Sequence, residues 1–192
     1  MRARVCMAQT VLFFCGGGCA SVFCSEVMRM KSNPRRIARA ALIAALYLLL
    51  TLLLQAISFG PTQLRVSEAL MLLPVLTADA VPGLTVGCLL ANLLGGGVWF
   101  DVLFGTLATL LSAWFVRRLR SKPVIAAAAP VVLNALIVGP VVYFGYVRTP
   151  FRWAALLSAV GTVALGQAVV CYVLGLPLLR VLRRIPAEIW EE

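Results

Sequence analysis

Histidine is absent from the 192-residue sequence, and charged residues make up only 12% of it. The first absence removes the commonest catalytic base and the commonest metal ligand together. The six cysteines form no CxxC pair, and no phosphate loop of the Gly-x-x-x-x-Gly-Lys-Ser/Thr type occurs. We therefore expect no catalytic residues, no metal site, no cofactor and no ATP site in this chain.

Apolar residues dominate what remains. They make up 62% of the sequence, and the mean hydropathy is +0.99, whereas globular domains are about half apolar. The apolar runs cover about 37–57, 68–80, 82–97, 100–118, 123–146 and 153–181. This pattern predicts an all-α membrane protein, a bundle of six transmembrane helices. The second and third runs are short for a bilayer that needs about 20 helical residues, so we expect a broken or tilted pair joined at residues 80–83.

The net charge of +10 indicates membrane topology rather than nucleic-acid binding, because the basic residues fall in short clusters between the apolar runs. Twelve basic residues precede the first run, join the fourth to the fifth, or follow the sixth: Arg29, Lys31, Arg35, Arg36, Arg39, Arg117, Arg118, Arg120, Lys122, Arg180, Arg183 and Arg184. The alternate connections hold three: Arg65, Arg148 and Arg152. The positive-inside rule then predicts a multi-pass protein of the cell membrane with both termini in the cytoplasm.

Residues 1–30 form an N-terminal extension of a different character, apolar and rich in cysteine and glycine. A signal peptide, an extra helix and a mistaken upstream start are all open. The mistaken start is favoured, because Met28 and Met30 directly precede a basic segment. We expect the membrane domain to span 31–185 and a cytoplasmic tail to span 186–192.

Polar residues within the apolar runs are few, and each costs several kcal/mol if it faces lipid. They are therefore predicted to line a cavity, mostly at the outer side: Gln63, Arg65, Glu68, Asn92 and Asp101, with Asn134 and Gln167 deeper. Arg65 and Glu68 could instead pair on one helical turn. Alternatively, the Gly60-Pro61 turn could let the loop before Glu68 fold over the cavity as a lid.

Aromatic residues cluster at the same predicted end, and Trp99 and Tyr143 are the candidates for stacking on a flat ligand. An interfacial aromatic belt explains the cluster equally well, and both readings can hold for different rings. Along the third run, small residues recur every four positions at Gly83, Gly87, Ala91 and Gly95, which predicts a close helix contact.

Five strings resemble the QueT family, proposed importers of queuosine precursors. In chain order they are GPTQLRVSEAL (60–70), PGLTVGCLLANLLGG (82–96), DVLFGTLATLLSA (101–113), LNALIVGP (133–140) and GQAVVCYVLGLPLL (166–179). The resemblance implies a six-helix S component of an energy-coupling factor (ECF) transporter. Such a protein binds substrate and works with a membrane scaffold (T) subunit and two ATP-binding subunits.

The resemblance also implies particular residue roles. Docking on the scaffold falls to an Ala-x-x-x-Ala face, present here in two overlapping copies: Ala40, Ala41, Ala44 and Ala45. The implied substrate is a 7-deazaguanine such as preQ1 or preQ0, whose guanine-like edge would donate to Glu68 or Asp101. The family pattern has Gly-Glu where this chain has Gly166-Gln167, so the ligand or its affinity could differ.

Two other functions stay open at this stage. An S component for a different vitamin-like molecule would differ only in pocket detail. A membrane enzyme or assembly factor acting on lipid suits the composition, but the sequence offers no histidine, no paired aspartates and no basic cluster within the helices to hold a phosphate.

Overall fold

The computed structural model describes residues 33–58, 65–95, 99–146, 152–185 and 190, and within these ranges it contains six helices and no strand. The extension at 1–30 and Gln63 lie outside the described residues. In chain order the helices are α1 (Pro34–Leu53), α2 (Val66–Val75), α3 (Ala80–Leu94), α4 (Asp101–Gly105 and Thr106–Arg118), α5 (Pro123–Ala126 and Ala128–Tyr146) and α6 (Trp153–Ala168, Val169–Gly175 and Leu176–Leu182). A short helical turn at Gln55–Ser58 follows α1.

Within the described part of the chain, three helices are long and apolar enough to cross a membrane: Pro34–Leu53, Pro123–Gly145 and Trp153–Leu182. α2 and α3 are shorter apolar helices of 10 and 15 residues. At the helical rise of each type they reach only about 20 Å, less than the roughly 30 Å hydrocarbon core. The prediction of an all-α membrane protein is confirmed, and its second and third helices are short, as predicted.

The turn between α2 and α3 does not lie at residues 80–83, where the sequence predicted it. The turn lies at residues 76–79, and α3 has already begun at Ala80. Pro82 therefore sits in the first turn of a helix, where backbone N–H groups have no intrahelical partner and proline costs nothing.

α2 is the central element of the bundle. It is a 3-10 helix of 10 residues with Pro74 inside, and every residue after Val66 is buried. It packs against α1, α4 and α6, and Met71 and Leu72 lie in the apolar core. Runs of 3-10 helix beyond three or four residues are uncommon, so the surrounding helices, rather than local propensity, hold this segment in shape.

Small residues bring α1 and α3 together, as predicted from the spacing along the third run. A Cβ at Gly83 would lie 2.7 Å from the Ala40 carbonyl oxygen, and one at Gly87 would lie 2.9 Å from that of Ala44. Ala40 and Ala44 are accordingly buried within the bundle. Of the two alanine copies expected to dock on a scaffold, one is thus occupied by α3.

Ala41 and Ala45 form the other copy and lie exposed, about 100° further around α1 than Ala40 and Ala44. Leu42, Leu46 and Leu49 are exposed along the same side of the helix. The surface available to a partner on α1 is this second copy with its flanking leucines, which we term the α1 outer face: Ala41, Leu42, Ala45, Leu46 and Leu49.

Buried polar clusters occupy the two ends of the bundle. At one end, which we term the Asp79 end, Arg39 Nη2 lies 2.9 Å and Arg36 Nε 3.9 Å from the Asp79 carboxylate. Arg117 donates to the Pro74 carbonyl at 3.2 Å at the same end, so the basic connection between α4 and α5 lies there too. The other end, the Asp101 end, carries most of the residues predicted to bind a ligand.

Candidate functional site

The centre of the site is the Glu68 carboxylate in the first turn of α2, with only 3% of the residue exposed. Its Oε1 accepts a 2.8 Å hydrogen bond from the Tyr47 hydroxyl on α1. Its Oε2 accepts a 3.3 Å bond from Gln167 Nε2 on α6. Asn134 on α5 also interacts with this carboxylate. Residues far apart in the sequence thus converge on one acid.

Beside Glu68, the Arg65 guanidinium lies 3.9 Å from Asp101 Oδ2, and both side chains are buried. Arg65 thus reaches across to α4, and it also interacts electrostatically with Glu68 three residues along the chain. Asn92 on α3 donates 2.9 Å to the Asp101 carbonyl and so fixes the start of α4. That start, Asp101–Gly105, is a π-helical turn, a feature that is frequent at functional sites.

These groups enclose a small cavity lined by Arg65, Glu68, Gly105, Asn134, Val138, Val163 and Gln167. Its volume is about 10 Å³, which is room for one water molecule. Pockets for small molecules measure about 300–1,000 Å³. A ligand the size of a purine can therefore enter only if the surrounding side chains or helices move outward.

The structure brings most of the predicted polar residues together. Arg65, Glu68, Asn134 and Gln167 line the cavity, and Asn92 and Asp101 adjoin it. The prediction that Gln63 contributes falls outside the described residues.

The two predicted aromatic residues do not line the cavity. Trp99 is 81% exposed, in an apolar surface groove beside Phe100 and Leu103, which suits an interfacial ring. Tyr143 is buried, and its hydroxyl accepts a 3.0 Å hydrogen bond from the backbone N–H of Arg152, so it secures the junction of α5 and α6. The walls that the cavity does offer to a flat ring are Val138 and Val163.

Tyr47 contacts Glu68 but was not among the predicted site residues. Its position follows Ala40 and Ala44 on the inward face of α1, and Thr51 continues that face one turn further. A phenol on the packed face of a membrane helix needs a buried partner, and this spacing was the available signal. Thr51 Oγ1 lies 2.8 Å from Ser67 Oγ, which makes a second link between α1 and α2.

A much larger cavity lies elsewhere and is unsuited to a polar ligand. It has a volume of about 680 Å³ between α4 and α5, and its lining is entirely apolar: Phe100, Phe104, Leu107, Leu136, Ile137, Pro140, Val141 and Phe144. The polar groups of a heterocycle placed there would have no hydrogen-bond partners, at a cost of about 1–3 kcal/mol for each buried group. Several of these side chains are exposed, as expected of a surface that faces lipid.

The chemistry of the polar cluster is recognition of a planar molecule that both donates and accepts. Glu68 can only accept when ionised, Arg65 can only donate, and the amides of Asn134 and Gln167 can do either. Among the described residues, no three His, Cys, Asp or Glu side chains converge on a point that could hold a metal ion. Gln167 donates to Glu68, whereas a glutamate at this position would set a second carboxylate against the first.

Comparison with known proteins gives a consistent picture. The model of the QueT transporter family matches residues 37–184, a range that contains Tyr47 and all residues lining the cavity. A curated relative from Lactococcus lactis subsp. cremoris (strain MG1363), described as "Queuosine precursor transporter QueT", is 41% identical over 83 residues. That match spans 42% of this chain and 48% of the relative, about half its length. No solved structure matches.

Proposed function

The chain belongs to the QueT transporter family, and from that premise we propose that it captures a queuosine precursor, a 7-deazaguanine such as preQ1 or preQ0, as the substrate-binding subunit of an ECF importer. The observation that carries this proposal is the buried Glu68 carboxylate, held between Tyr47 and Gln167 inside a membrane bundle. Ionisable groups in such a place are costly and are usually functional.

The recognition chemistry follows from the groups around the cavity. A guanine-like edge presents two adjacent N–H donors, which the Glu68 carboxylate can accept as a charge-assisted pair. Asn134 and Gln167 can meet the remaining polar atoms of the ring, and Arg65 can donate to its carbonyl oxygen. Val138 and Val163 would pack against its faces, in place of the stacking on Trp99 or Tyr143 that the sequence suggested.

In the proposed ECF importer, ATP would be bound by partner subunits, because this sequence has no Walker motif. We assign the α1 outer face to the scaffold (T) subunit, which two ATP-binding subunits would drive. Ala41 and Ala45 allow a partner helix to approach closely, while Ala40 and Ala44 are already covered by α3. Under this proposal the Asp79 end faces the cytoplasm and the Asp101 end faces outward.

The test is titration of preQ1, preQ0 and guanine into the detergent-solubilised wild type and into the Glu68→Gln variant. Loss of the buried charged acceptor should weaken preQ1 binding by about 30-fold to several thousand-fold, the equivalent of about 2–5 kcal/mol. Glu191→Gln makes the same chemical change in the C-terminal tail and should have no effect. If the wild type bound none of the three compounds, the substrate assignment would be wrong.

A second candidate is an S component for a different heterocyclic ligand, and Gln167 is the observation that favours it. An amide at this position replaces the acid of the family pattern, and it contacts Glu68 directly. Mass spectrometry of ligand retained through purification distinguishes the two candidates by mass. A retained compound other than a 7-deazaguanine would select the second.

A further inference from the structure

Tyr47 occupies a position in α1 from which it can control the central acid. The residue is 0% exposed, and its hydroxyl donates 2.8 Å to Glu68 Oε1. Gln167 holds the other oxygen at 3.3 Å from the far side of the carboxylate. The acid is therefore fixed through both oxygens by two helices that do not share a loop.

This arrangement leaves capacity for a ligand. An ionised carboxylate has about four acceptor positions on its two oxygens, so the bonds from Tyr47 and Gln167 leave one further position on each oxygen. Asn134 also interacts with this carboxylate, and its side chain would give way to the ligand at one of these positions. A base edge with two adjacent N–H groups needs one acceptor position on each oxygen in the correct plane. Fixing both oxygens sets that plane before the ligand arrives, which lowers the cost of ordering on binding.

We infer that Tyr47 is a positioning residue that orients the Glu68 carboxylate for a two-donor base edge and thereby sets selectivity for ligands with an exocyclic amino group. The inference rests on the proposed function, because it assumes that the ligand edge meets Glu68. Without the Tyr47 hydroxyl, Oε1 loses its partner on α1, and the carboxylate can turn toward Gln167. A ligand with one N–H donor loses less from this rotation than a ligand with two.

The chain provides a matched control one turn along the same helix. Thr51 Oγ1 and Ser67 Oγ lie 2.8 Å apart, and Thr51 is equally buried. The Thr51 hydroxyl also lies 2.8 Å from the backbone carbonyl oxygen of Tyr47 in the preceding turn. It links α1 to α2 without touching Glu68, so Thr51→Val removes a buried inter-helix hydrogen bond of the same kind. A merely structural role for Tyr47 predicts the same outcome for both variants.

The experiment measures the affinity of the purified full chain for 7-deazaguanine and for 7-deazahypoxanthine, which lacks the exocyclic amino group. In wild type and in Thr51→Val, 7-deazaguanine should bind more tightly. We define selectivity as the dissociation constant for 7-deazahypoxanthine divided by that for 7-deazaguanine. In Tyr47→Phe this ratio should fall by about tenfold, which corresponds to the loss of one charge-assisted hydrogen bond. Replacement of Tyr47 with 4-aminophenylalanine, which keeps a donor at the same place, should retain the wild-type ratio even if the phenylalanine variant does not fold.

The outcomes separate cleanly. A wild-type ratio in Tyr47→Phe, an equal loss of affinity for both compounds, or a collapsed ratio with 4-aminophenylalanine would overturn the role of Tyr47 and leave the proposed function intact. Failure of the wild type to bind either compound would overturn both. In a Glu68→Gln background, Tyr47→Phe should leave the ratio unchanged, because the group it orients is already lost.

Discussion

Arg39 on α1 and Asp79 in the turn between α2 and α3 form a 2.9 Å ion pair at the end of the bundle opposite Glu68. α2 is thus tied to α1 near both of its ends, through Glu68 and Tyr47 at one and through this pair at the other. Because α2 is buried on nearly all sides, a displacement at one of its ends should be transmitted to the other end.

The first prediction concerns this ion pair. Asp79→Asn should destabilise the protein strongly, because it leaves Arg36 and Arg39 close together without their shared carboxylate. Removing one partner of a buried pair costs about 3–5 kcal/mol, which should lower the melting temperature in detergent by roughly 10 °C. Arg120→Gln changes an exposed charge at the same end and should leave the melting temperature unchanged. Equal melting temperatures for Asp79→Asn and wild type would show that the pair does not stabilise the fold.

The second prediction tests the contact between α1 and α3. A Cβ at Gly87 would lie 2.9 Å from the Ala44 carbonyl oxygen and 3.0 Å from Tyr47 Cβ, too close for either backbone to stay in place. Gly87→Ala should therefore lower the melting temperature and, by displacing Tyr47, weaken ligand binding.

The matched control for Gly87 is Gly161 in α6, where an added Cβ meets no atom within 4 Å. Gly161→Ala should be neutral or stabilising by about 0.5–1 kcal/mol, because alanine is the better helix former. If both alanine variants melted alike, the close approach of the two helices would not be a determinant of stability.

The spans could be predicted from the sequence because long apolar runs have one structural solution in lipid. The predicted bounds 123–146 and 153–181 agree closely with α5 and α6. The helix type of α2 could not be predicted, because a 3-10 stretch of this length is imposed by its neighbours. The two π turns, at Asp101–Gly105 and Val169–Gly175, depend on packing in the same way.

The polar part of the site could also be predicted from the sequence. Glu68, Asn134 and Gln167 are isolated polar residues within apolar helices, so they must either contact one another or face lipid. The positions of the aromatic residues could not be predicted. A helix that is apolar all round gives no indication of which face turns inward, so nothing in the sequence distinguishes the exposed Trp99 from the buried Tyr143. Tyr47 differs from these two rings, because its spacing from Ala40 and Ala44 indicates that it lies on the packed face of α1.

The third prediction is the orientation of the bundle. The basic residues near the ends of α1, α4 and α6 lie at the Asp79 end, and the positive-inside rule places such an end in the cytoplasm. In intact cells, an impermeant thiol reagent should modify a cysteine at Arg152 and spare one at Ser121. The background should carry serine in place of the four cysteines in residues 1–30. Labelling at Ser121 alone would invert the topology.

The fourth prediction separates the two alanine copies on α1. Ala41→Trp and Ala45→Trp place a large ring on the α1 outer face, where it should block a close helix contact with the scaffold subunit. Ligand binding to the isolated chain should stay within about twofold of wild type, while uptake by the assembled importer should fall by about tenfold or more. Each variant is measured twice, by ligand titration in detergent and by uptake into cells that express the partner subunits.

Two controls make this prediction specific to the face. Ala44→Trp should instead lower the melting temperature and ligand binding together, because Ala44 already packs against Gly87. Ala154→Trp adds the same ring to an exposed position on α6 and should leave binding and uptake at wild-type levels. If Ala41→Trp lost binding along with uptake, as expected for Ala44→Trp, then Ala41 would serve packing within the bundle, and the partner surface would have to lie elsewhere.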